Sequence, residues 1–218
     1  MKKNLFDRIL SAGLALFVTA ACFLATGCTS KINIMLNKDG SIDVQFSGTS
    51  GLAFETLIKT ASGVKDGDVV FNTNEIEYEL GKNGFSNVRV TSKAGTDLNI
   101  SMSDKTKQSS LYKSDVLKSD KNTITATLSA KKLLDFYNSS DEEIVSFLDL
   151  LIAPVFNDEV LSESEYIETI AAFYGQGAAD EIAESSFDVT LSTPDGKSSS
   201  HIIPLVKLLT LNETLTLR

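Results

Sequence analysis

The chain has 218 residues, a net charge of −9, a single histidine and only two cysteines. An acidic surface is repelled by nucleic acid phosphates and by anionic headgroups, which excludes nucleic acid as a partner. With one histidine there is no H-E-x-x-H, and no C-x-x-C, G-x-S-x-G or Walker loop occurs; metal sites built from histidine and thiolate are excluded with them.

The first element is a leader. Lys2, Lys3 and Arg8 make a basic start, an uncharged apolar stretch runs from Ile9 to Leu24, and small residues crowd its end (Ala25, Thr26, Gly27). That layout predicts a secretory signal peptide. The stretch is 16 residues long, whereas a spanning helix needs roughly 20, so an uncleaved anchor is the weaker reading.

Leu24-Ala25-Thr26-Gly27-Cys28 resembles the lipobox of bacterial lipoproteins. Ala25 stands where that pattern more often has Leu or Val, with Leu24 one place earlier. The resemblance implies that residues 1–27 are removed, that the Cys28 thiol receives a diacylglyceryl group, and that Cys28 becomes the first mature residue. One acyl chain binds a membrane marginally at about 0.8 kcal/mol per buried methylene; two or three on one cysteine make attachment effectively permanent. Thr29 is not the aspartate that retains such proteins at the inner membrane of enteric bacteria, so the resemblance favours the outer membrane or the cell surface. The leader carries Lys2, Lys3 and Arg8 against Asp7, and loss of that net +2 leaves the mature body at −11. Cys22 leaves with the leader, so the body has neither free thiol nor disulfide and is held by its core, for which its length suffices.

Residues 28–30 read as a lipidated tether and residues 31–218 as a single α+β domain with a mainly antiparallel sheet and packed helices. The tether is too short to hold the domain far from the bilayer. Lys31 to Leu36 and Ser41 to Phe46 both alternate with period two around Asn37-Lys38-Asp39-Gly40, which predicts a hairpin. Residues 51–62 read as a helix, and Asn72 or Asn74 caps a second one through Leu80, ended by Gly81 and Gly84. Phe85 to Thr91 and Leu98 to Met102 read as strands, residues 104–110 as a loop, Leu111 to Leu117 as a weak strand, and Asn122 to Leu128 as a clear one.

Helical patterns follow. Ser129 caps Lys131 to Tyr137; Ser140 with Glu143, and Ser162 with Glu165, are capping boxes opening Glu142 to Ile152 and Glu163 to Tyr174. Ala178 to Glu184 forms a short helix, Ser186 to Thr193 a strand, Pro194-Asp195-Gly196 a turn, and Thr214 to Leu217 a sheet edge. Short links between strands favour antiparallel pairing.

The residues that bear chemistry are few. His201, after Ser198-Ser199-Ser200, reads as an exposed turn histidine rather than a triad base. Asp141, Glu142, Glu143, Asp158, Glu159, Glu163 and Glu165 cluster in first helical turns, where the helix dipole favours them, rather than as a glycosidase pair. Residues 37–41 lack the later acidic positions of a calcium loop. The chain therefore reads as non-catalytic, with no cofactor and no metal.

Two segments, 144–156 and 202–211, are apolar nearly all round, which predicts burial in a core. The sharper alternative is that they line a cavity for a lipid or another hydrophobic ligand, with Phe147, Leu150, Leu151, Phe156, Leu205 and Leu208 as its walls. A surface patch for an envelope protein partner is a third reading. A lipobox, an immediate Asp-Gly hairpin, an α+β body and a late apolar segment are together similar in layout to LppM-type lipoproteins. That resemblance implies lipid binding. The family often carries a C-terminal spanning helix, whereas residues 202–211 are short and include Pro204 and Lys207.

Overall fold

The computed structural model describes residues 29–49, 51–53, 55–56, 73–93, 97–139 and 161–218. In chain order the elements are β1 (Thr29–Leu36), β2 (Ile42–Thr49), α1 (Thr73–Lys82), β3 (Ser86–Thr91), β4 (Asp97–Asp104), α2 (Ser110–Lys113), β5 (Leu117–Asp120), β6 (Thr123–Leu128), α3 (Ala130–Ser139), α4 (Glu163–Tyr174), α5 (Gln176–Glu184), β7 (Ser186–Ser192), β8 (Ser198–Pro204), α6 (Leu205–Leu209) and β9 (Leu215–Leu217). The protein is an α+β domain. A six-stranded sheet has the order β3-β4-β2-β1-β7-β8, and a three-stranded sheet has the order β5-β6-β9.

Alternation builds the larger sheet. Ile34, Leu36, Ile42, Val44, Leu98, Ile100, Met102, Phe187, Val189 and Leu191 point to one face and are buried, while Lys31, Asn33, Gln45, Asn99 and Ser200 point to the other and are exposed. An antiparallel sheet with one wet face reads this way. The predicted hairpin is β1–β2, paired from Lys31↔Ser47 to Leu36↔Ile42. Every pair in both sheets is antiparallel except one: β1 runs parallel to β7, from Thr29↔Ser186 to Met35↔Ser192.

The helices close the buried face. Ile76 and Leu80 of α1, Tyr166 and Ile170 of α4, Ala179 and Ile182 of α5, and Leu205 and Leu209 of α6 join the same core as the sheet residues. The capping box at α4 forms as its spacing predicts: the Glu165 amide donates to Ser162 Oγ at 3.3 Å, and the Ser162 amide to Glu165 Oε2 at 2.8 Å. The Lys132 amide donates to Ser129 Oγ at 3.3 Å, which starts α3. At the edge strand β3, the Val90 amide donates to Glu77 Oε1 of α1 at 2.8 Å, so α1 shields that edge. Gly84 follows α1 at φ +88°, and a Cβ there would lie 2.6 Å from the Gln108 carbonyl oxygen, so no larger residue fits.

Four expectations need correction. Thr29 and Ser30 are not a spacer: both belong to β1, and Ser30 is buried. Leu111 to Leu117 is not one strand, because Ser110–Lys113 turns as a helix and only Leu117 enters β5. There the Ser110 amide donates to the Asn83 carbonyl at 3.0 Å and Tyr112 and Lys113 close back on Ser109, which local apolar content does not encode. His201 lies within β8, not in a turn. The run 202–211 is two elements: its first three residues finish β8, and Pro204, with its fixed φ of −55°, ends the strand and opens α6.

Candidate functional site

The end of the large sheet where β1 begins is the site that the sequence marks. Cys28 lies outside the described residues, but Thr29 is already paired with Ser186. The ends of neighbouring strands gather beside it. Thr49 closes β2 and pairs with Asp97 at the start of β4, Ser186 opens β7, and Pro204 closes β8 opposite Ser186. Ser30 is buried and Lys31 exposed, as the alternation requires. Lys31 sits in one row with Asp188 and Ile202 on the wet face of the sheet. Ile202 is 73% exposed, and Leu52, three residues past the end of β2, is 77% exposed. The backbone leaving β2 is fixed by Glu181 of α5, whose Oε1 accepts from the Ala53 amide at 2.7 Å.

The proposed ligand walls are divided. Phe147, Leu150, Leu151 and Phe156 lie outside the described residues. Leu205 is 1% exposed within the core, and Leu208 is half-buried and packs against that core. These two are therefore brought together with each other and with the β-sheet interior.

The polar residues singled out in the sequence are engaged within the fold. Asp39 Oδ1 accepts from the Ser41 hydroxyl at 2.6 Å and from its amide at 3.0 Å, which holds the carboxyl below its usual range. Asp43 accepts from Asn37 Nδ2 at 2.9 Å and from Ser103 Oγ at 2.7 Å. Residues 37–41 thus form a hairpin turn whose carboxylate is turned inward on its own backbone. Among the described residues no three acidic, histidine or cysteine side chains gather to hold a metal ion. His201 Nε2 lies 3.4 Å from the Arg218 carbonyl, Ser199 Oγ donates to that same carbonyl at 2.5 Å, and Ser200 Oγ bonds Thr190 Oγ1 at 2.8 Å. Glu163 and Glu165 sit in the first turn of α4, where the dipole favours them.

One polar centre was not anticipated. Asp104, fully buried at the end of β4, gathers the loop that follows it: Oδ1 accepts from the Thr106 amide at 2.8 Å and the Gln108 amide at 3.4 Å, and Oδ2 from the Ser109 amide at 2.8 Å. The available signal was an Asp followed two residues later by Thr106, the spacing of an Asx turn. Its position opposite the anchor end makes it structural. The chain matches no family model, no curated protein and no solved structure.

Proposed function

We propose that the mature protein is a lipid-anchored lipoprotein of the cell envelope, held through Cys28 on the outer membrane or cell surface, that works as a non-catalytic binding or structural module. The observation that carries this reading is the run from Ile9 to Leu24 followed by Ala25-Thr26-Gly27-Cys28. It is supported by the position of that cysteine immediately before the first residue of β1. A leader cut anywhere well inside the body would remove a central strand, whereas a cut before Cys28 leaves β1 whole.

The hydrophobic-ligand form of the reading now rests on residues 144–156, because Leu205 fills the core instead of facing a cavity. The acidic body adds a preference for cationic or neutral partners. Metabolic labelling with palmitate tests the anchor. The wild-type precursor takes the label and Cys28→Ala does not; equal labelling of both, or none of either, contradicts it.

A further inference from the structure

We infer that the β7–β8 corner of the sheet, led by Ile202 and Pro204 with Leu52 beside it, is a seat on the surface of the phospholipid bilayer that carries the anchor. The inference rests on the lipidation of Cys28 and goes beyond it, because an anchor alone leaves open which part of the body meets the lipid.

Chain length is the first argument. Consecutive Cα atoms are about 3.8 Å apart, so Thr29 cannot leave the immediate neighbourhood of a lipidated Cys28. Thr29 cannot peel away from the body either: β1 is an interior strand, flanked by β2 on one side and β7 on the other. The tether has no slack, and the sheet end stands at the headgroups.

Register is the second. Lys31, Asp188 and Ile202 share one row. With strands about 4.8 Å apart, Ile202 is about 10 Å across from Lys31. It lies two residues from the end of β8, a rise of about 7 Å. The polar layer on each side of a bilayer's hydrocarbon core is about 6 Å thick. Ile202 is therefore within about one headgroup thickness of the anchor plane.

Chemistry is the third. The wet face is otherwise built of Ser, Thr, Asn, Gln and charged residues, apart from Met35 near the far end of β1. Ile202 and Leu52 are the most exposed large apolar side chains on this end, and both are more than seven-tenths exposed. Lys207, exposed in the turn of helix directly after Pro204, can extend its stem along the interface toward phosphate. The body's −11 charge disfavours anionic lipid, so the seat suits a zwitterionic surface.

The mature chain has no other cysteine than Cys28, so one introduced thiol takes a dye uniquely. Ile202→Cys, Leu52→Cys and Lys197→Cys, each at an exposed site, are labelled with an environment-sensitive fluorophore. The palmitate-labelled full-length product is reconstituted in phosphatidylcholine vesicles with and without a shallow spin-labelled phosphatidylcholine. Lys197 is in the β7–β8 turn at the opposite end, about 20 Å along the strands. The seat predicts quenching at 202 and 52 at least twofold greater than at 197. Equal quenching at all three positions in a protein that carries palmitate overturns the seat and leaves the anchor standing. Absence of palmitate overturns both.

Discussion

Asp104 shows how much one side chain organises. Burial pushes its carboxyl up, and donors on Ser109, Thr106 and Gln108 outweigh that and hold it below the ordinary 3.8. A carboxylate lowered in the fold contributes stability above its unfolded-state value and loses it as pH falls through the folded value. Stability measured by urea denaturation therefore falls as pH drops below about 4, and Asp104→Asn flattens that limb. Asp104→Ala leaves three amides without their acceptor and costs about 3 kcal/mol near neutral pH. Tyr166 is the largest fully buried side chain, and burial drives its phenol strongly upward, so it stays protonated across the working range. Tyr166→Ala costs about 3–5 kcal/mol in the same assay by leaving a cavity, and Tyr166→Phe costs much less because it keeps the ring.

At the scale of elements, legibility followed locality. The β1–β2 hairpin was readable because two alternating runs flank an Asp-Gly turn, and α4 because Ser162 and Glu165 stand three apart. The β1–β7 pairing was not, because Thr29 and Ser186 are brought together by the whole body and nothing local encodes a parallel partner. Residues 202–211 defeated periodicity since an apolar run fits a strand and a helix equally; Pro204 was the only local sign of the join. Of the expected ligand walls, Leu205 and Leu208 read as apolar and proved to be core, a distinction that composition does not carry. These element roles separate in mutants. Ser162→Ala removes the α4 cap and costs about 1 kcal/mol. Ile34→Pro removes a ladder donor from an interior strand and costs at least about 3 kcal/mol. Ile202→Ser, on the wet face, stays within about 0.5 kcal/mol. Chemical denaturation of the three variants checks the ranking; a costly Ile202→Ser would contradict the assignment of that face.

At the scale of the molecule, a body without thiols must be held by one core joined to an interior first strand. Its thermal midpoint is expected to be the same with and without reductant, and a shift would reveal a linkage the sequence does not provide. The same architecture makes the anchor and the fold neighbours, since the strand that stabilises the sheet starts where the lipid would attach. Mass spectrometry of the N-terminal tryptic peptide from membrane-extracted protein tests this most directly. The account predicts Cys28-Thr29-Ser30-Lys31, cut before Cys28 and heavier by a diacylglyceryl group. A peptide that reads through from Ile9 to Lys31 with an unmodified Cys28 would contradict it.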